Sequence, residues 1–155
     1  MDKQLINTII DQFRIDPYGI HGVSHWASVR VNGLKLAKLN GADPLIIEYF
    51  AFLHDSQRCN DHNDPKHGYR ASEWISSLDL PLSDIQLVKL KIACENHTSA
   101  DPSNDLTEDV TILTCWDADR KDLTRLGIKP DPSRLYTKEA KMHYHETIKQ
   151  SKVGI

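Results

Sequence analysis

The sequence predicts an all-α fold of about six or seven helices in one domain. Three observations carry this. Apolar residues recur at three- and four-residue spacing along most of the chain. Alternating strand patterns and Asn-Gly or Asp-Gly hairpin signals are absent. The 7 glycines and 7 prolines gather mainly at a few breaks between periodic stretches. A chain of 155 residues has room for one domain, expected over 1–155 with its core within 21–126. With 39% hydrophobic and 26% charged residues, its balance is that of a packed globular protein rather than a disordered chain.

Taken in order, Leu5, Ile6, Ile9, Ile10 and Phe13 mark a first amphipathic helix, and Pro17–Gly22 breaks it off. Val23–Leu39 follows, with Gly41 as its stop signal. Asp43-Pro44 opens the next helix, because an aspartate oxygen caps free N–H groups and proline suits the first turn. That helix, Leu45 to about Gln57, is apolar on most sides and so belongs at the centre. Further helices are expected over Gly68–Ser77, Ser83–His97, Leu106–Leu126 and Thr137–Gln150. The long connections Arg58–Lys66 and Thr98–Asp105 are the expected rims of a site.

Composition excludes several classes. With 19 Lys+Arg against 22 Asp+Glu, the formal charge is -3, without the basic surplus of a general nucleic-acid binder. Cys59, Cys94 and Cys115 are far apart and form no CxxC, which argues against a disulfide scaffold or a thiolate zinc knuckle. The N-terminal MDKQLINTIIDQF lacks the apolar core of a signal peptide. The apolar run Leu45–Leu53 is interrupted by Glu48 and falls far below the roughly 20 residues of a membrane span. These features lead us to expect a cytoplasmic protein with no membrane association. No P-loop, dinucleotide fingerprint, GxSxG or HExxH is present.

The informative residues are the histidines, 8 in all. One His-Asp dipeptide is what composition alone would yield, so placement on helices must decide. At about 100° per residue with Asp119 as zero, Ile112 falls at about 20°, Cys115 at about -40°, Trp116 at about 60°, Leu123 at about 40° and Leu126 at about -20°. Asp119 therefore sits on the apolar stripe, while Asp117 lies on the opposite face. An inward carboxylate is costly unless paired or bound to a cation. His54 shares its face with Phe50, Ile47 and Ala51, His97 with Leu90, Ala93 and Cys94, and His25 with Val29, Asn32 and Leu36. A lone inward histidine is usually a satisfied core residue. Four helices each directing a polar group inward point instead to a metal held between helices. The first expected site is His25, His54, Asp55 and Asp119, the adjacent His54 and Asp55 both reaching one ion near a helix end. Imidazole and carboxylate donors suit Mn, Fe, Co, Ni, Zn or, less well, Mg.

The pattern H…HD…D, here His25, His54-Asp55 and Asp119, resembles that of the HD-domain superfamily of metal-dependent phosphohydrolases. Ala118-Asp119-Arg120 matches the usual context of the family's last aspartate, and the run HGVSHWASVRV resembles a small branch of uncharacterised bacterial members. The likeness covers residues 21–126 and implies an all-α HD-domain bundle. HGYRAS (His67–Ser72) and NHT (Asn96–Thr98) resemble the added histidines of a subset with two metals. That resemblance implies one or two divalent cations per chain, the second held by His67 and His97 with Asp55 bridging.

It also implies hydrolysis of a phosphate ester or anhydride, with a nucleotide as one candidate substrate, by water that the metal activates. HDSQR places Arg58 where many relatives carry a phosphate-binding lysine, and a planar guanidinium can grip two oxygens at once. Arg70 and Arg120 are further candidate substrate contacts. His21, one turn before His25 if that helix starts early, is a candidate general acid or outer partner. Asp61, His62 and Asp64 read best as a solvated loop, and His143 and His145 lie on different faces and are left unassigned. Trp26, Trp74 and Trp116 read as packing residues, with Trp116 alone near enough to Asp119 to stack on a base. Two alternatives stand beside hydrolysis: a di-iron oxygenase, which needs both His67 and His97, and a non-enzymatic, metal-stabilised nucleotide-binding module.

Overall fold

The first helix of the structure, a computed structural model that describes residues 3–104 and 106–142, is α1 (Lys3–Gln12), whose Ile9 is fully buried. Then come α2 (Val23–Asn40), α3 (Pro44–Leu53), α4 (His67–Ile75), α5 (Asp84–Asn96) and α6 (Val110–Lys121). Short 3₁₀ turns occupy Pro102–Asn104, Asp122–Leu126 and Pro132–Arg134. No strand occurs among the described residues. Of the expected C-terminal helix, 138–142 are helical and the remainder, with His143 and His145, lies outside the described residues.

The helix ends follow the sequence signals. Gly41 closes α2 in the left-handed region at φ 76°, and Asp43 accepts a bond from the Leu45 N–H to start α3. Ser83 and Gln86 form a reciprocal capping box at the start of α5. As expected, α3 is central: it packs on α2, α5 and α6, and six of its ten residues are buried. At Gly33, an added Cβ would sit 2.5 Å from Ile47 Cγ2 and 3.2 Å from the Ala118 Cβ, so a side chain there would wedge α2 away from both α3 and α6.

Two expected helices are shorter than their periodicity suggested. Beyond Leu53 the backbone tightens into three-residue turns, Ser56 N–H to Leu53 O and Arg58 N–H to Asp55 O. His54 and Asp55 therefore leave the helix end together. Gln12 holds this turn from α1, donating to Ser56 O and accepting from Gln57 Nε2. The expected Leu106–Leu126 helix begins only at Val110, because the Asp109 carboxylate caps Thr111 and Ile112. It becomes 3₁₀ at Asp122, so the angles assigned above to Leu123 and Leu126 do not hold, and Leu126 is exposed.

No helix among the described residues is long and apolar enough to cross a membrane.

Candidate metal centre

Five helix ends converge on one buried point. His25 comes from the first turn of α2, His54 and Asp55 from the turn after α3, His67 from the start of α4, and His97 caps α5. Asp119 arrives from the last turn of α6. His67 is the first residue of α4 and almost fully buried. Gly68 is the reason it can be there. A Cβ at that position would stand 2.4 Å from Cys94 O and 2.9 Å from Glu95 O, so only glycine lets α4 start against the end of α5.

The donor atoms form two sets that share Asp55. His25 Nε2 and His54 Nε2 are 3.0 Å apart, and both face Asp55 Oδ2 (3.5 and 3.7 Å) and Asp119 Oδ1 (3.4 and 3.6 Å). On the other side, His67 Nε2 and His97 Nε2 are 2.8 Å apart and face Asp55 Oδ1 at 2.9 and 3.4 Å. Donors about 2.1 Å from a shared ion lie roughly 3.0–3.5 Å from each other, so both sets have the spacing of a coordination sphere. Asp119 Oδ1 also groups with His54 and His97.

The hydrogen bonds fix which ring nitrogens are free. Each Nδ1 faces an acceptor: Asp122 Oδ2 for His25 (2.6 Å), Phe50 O for His54 (3.0 Å), Asp64 O for His67 (2.5 Å) and Cys94 O for His97 (2.6 Å). A carbonyl or carboxylate only accepts, so each Nδ1 carries the proton and each neutral ring turns its Nε2 lone pair inward. Lone pairs facing each other at 2.8 and 3.0 Å repel unless a cation lies among them. Asp55 Oδ1 is likewise buried, with no aligned hydrogen bond among the described residues. The donor set thus fits metal ions, and its outer acceptors orient it as metal-binding imidazoles are commonly oriented.

Metal-free, the cluster must hold protons instead. Burial opposes charge on His25, but hydrogen bonds to Asp119 and Asp122 outweigh it and raise its pKa to about 10. Burial lowers His54 to about 4. His97 is raised, its interaction with the Asp55 carboxylate overcoming its burial. Asp55 and Asp119 are held below the usual carboxylate range in spite of burial, Asp55 by the charge of His54 and Asp119 chiefly by its hydrogen bond to His25. Near neutral pH a metal must therefore displace the His25 proton, while His54 and the carboxylates have none to lose. Metal affinity accordingly tightens about tenfold per pH unit between pH 6 and 8 for each proton displaced. Calorimetry in buffers of different ionisation enthalpy should count at least one proton released per chain; an affinity flat over this range would contradict the assignment.

A cleft of about 220 Å³ opens over the centre, and His25, Asp55, His97 and Asp119 reach its floor. Arg58 lines it. Its Nε lies 3.0 Å from Asp55 Oδ1 as an ion pair without hydrogen-bond alignment, and Nε and Nη1 are buried with no hydrogen bond among the described residues. His21 stands at the rim, its Nδ1 2.9 Å from Asp61 Oδ1, so the Arg58–Lys66 loop does form one edge. Thr98 supplies part of another edge.

Two expected substrate contacts are placed differently. Arg70 does not line the cleft: its guanidinium donates to Gln57 O and Asp64, clamping the loop below. Arg120 reaches the cleft but donates to Arg134 O and Ala100 O. Trp116 is core, donating to Ala93 O and packed on Tyr136, and offers no face to a base. Asp122 was missed. Its place three residues after Asp119, about 60° around the same face, was the available signal.

No protein-family model matches the chain, and no curated protein matches it. Among solved structures, the crystal structure of a predicted HD superfamily hydrolase from an uncultured Thermotogales bacterium superposes with a TM-score of 0.73. The two are 20% identical, and the match covers 96% of this chain and 86% of that one. The chain thus has the all-α HD-domain fold. Within that fold it carries a buried His–Asp cluster able to hold metal.

Proposed function

We propose that this chain is a metal-dependent phosphohydrolase acting on a phosphate ester or anhydride. The observation that supports it best is a cluster of six metal-donor residues, four of which reach the floor of one cleft, beside Arg58, whose Nε and Nη1 have no hydrogen-bond partner among the described residues. The fold points the same way, since the structural neighbour is described as a predicted hydrolase.

His25, His54, Asp119 and Asp55 Oδ2 would hold one cation, and His67, His97 and Asp55 Oδ1 a second. Divalent cations supply Lewis acidity, making water a stronger acid and polarising a phosphoryl oxygen. The protein supplies the rest. Arg58 directs donors at the oxygens that gather charge as the phosphoryl group transfers. His21, whose Nδ1 faces the Asp61 carboxylate, would in its doubly protonated form hand the Nε2 proton to the leaving oxygen at the rim and return to the neutral ring. Asp122 keeps His25 in the orientation that turns Nε2 inward.

A panel of phosphoesters and anhydrides with Mn, Fe, Co, Ni or Zn tests this. The expected result is metal-dependent release of phosphate or pyrophosphate, reduced more than about 100-fold by His54→Ala or Asp119→Ala, since even the outer partners of metal ligands contribute 10–100-fold. No turnover with any metal would contradict it. The di-iron oxygenase reading uses the same six donors, and the arginine in the cleft favours an anionic substrate over it. Oxygen consumption by iron-loaded protein, without phosphate release, would reverse that preference.

A further inference from the structure

The cleft that we read as a phosphohydrolase site also limits what the phosphate can be attached to. Three arginines line it, yet two are already committed. Arg120 donates to Arg134 O and Ala100 O. Arg125 donates through Nε to Asp122 Oδ2 (3.0 Å) and through Nη2 to Ile20 O (2.7 Å). Arg58 is ion-paired with Asp55 through Nε (3.0 Å to Oδ1), but neither its Nε nor its Nη1 makes a hydrogen bond among the described residues. These donors match one phosphoryl group seated over the centre.

Outside that position the wall changes character. Ile20 from the turn before α2 and Leu123 and Leu126 from the 3₁₀ turn after α6 line the cleft, and Ile20 and Leu126 are each 44% exposed. The Arg125–Ile20 bond ties these two segments into one apolar lip. A second or third phosphate would press charged oxygens against these aliphatic carbons and lose its water without gaining donors. An apolar or aromatic group would be covered favourably there. At about 220 Å³ the cleft is also smaller than the roughly 300–1,000 Å³ of common ligand pockets.

We infer that the substrate is a compact phosphate monoester with an apolar or aromatic body at the Ile20–Leu123–Leu126 lip, rather than a nucleoside di- or triphosphate. This rests on the phosphohydrolase reading. It is tested by calorimetry on the Mn(II)-loaded full chain with non-hydrolysable phosphonates, Mn(II) being kept in excess. Phenylphosphonate should bind at least tenfold more tightly than methylphosphonate, and methylenediphosphonate no more tightly than methylphosphonate. Leu126→Glu and Ile20→Ser, both at exposed positions, should each shrink the phenyl-to-methyl ratio below twofold. Equal binding of the phenyl and methyl compounds, tighter binding of the diphosphonate, or a ratio that survives both substitutions would overturn the inference while leaving the phosphohydrolase reading in place. Failure to bind any phosphonate would overturn both.

Discussion

Replacing Asp55 with alanine is expected to abolish the proposed turnover and to leave the chain unable to hold the proposed pair of cations. This carboxylate places an oxygen in each donor set, Oδ2 turned to His25 and His54, Oδ1 to His67 and His97. Without it the four imidazoles face one another, and Asp119 alone balances them. The expected loss is more than about 10³-fold in rate, since one well-placed electrostatic group in an active site contributes 10²–10³ and both cations depend on this one. Asp55→Asn separates chemistry from folding: the amide keeps the shape but not the charge, so metal content falls while the helical circular dichroism remains. Asp117→Ala is the contrasting control. Asp117 is equally buried but accepts from Tyr136 N–H, Thr137 N–H and Thr137 Oγ1. Its loss should cost about 1–3 kcal/mol of stability and leave metal content unchanged. Full activity in Asp55→Asn would remove the basis of the proposed function.

Gly68→Ala separates α4 from α5. The new Cβ would lie 2.4 Å from Cys94 O, 2.9 Å from Glu95 O and 3.2 Å from His97 Nδ1. The first two are backbone atoms of a helix that also carries Ala93 and Cys94 into the core, so they cannot yield locally. Overpacking of this kind costs about 1–3 kcal/mol, roughly 2–12 °C in the melting midpoint for a chain of this length. The same shift pulls His67 from His97, so the second cation should be lost before the first. A wild-type melting midpoint with a full complement of metal would show that the helices can part without cost and that Gly68 does not position His67.

Much of this was legible in the sequence, for identifiable reasons. The Asp43-Pro44 start and the Gly41 stop are local chemistry, and the structure keeps them. The inward faces of His25, His54 and His97 follow from helical period alone, because each is flanked by buried residues one turn away. What period could not show was where a helix changes type. Carrying α6 through to Leu126 assigned Leu123 and Leu126 to the core and passed over Asp122, which the 3₁₀ turn brings under His25. Asp117, read as facing away, is buried more completely than Asp119, because the 135–140 segment covers that face. Arg70 and Arg120 were plausible by proximity in sequence, but their partners are backbone carbonyls and Asp64, which no spacing rule reveals.

The central claim is that six side chains from separate helix ends hold two cations across Asp55. Anomalous diffraction at the metal edge, with elemental analysis of the same crystals, tests it most directly. The expected result is two peaks per chain, one enclosed by His25, His54, Asp119 and Asp55, the other by His67, His97 and Asp55. Peaks located elsewhere, or no bound metal with Asp119 turned to solvent, would contradict it.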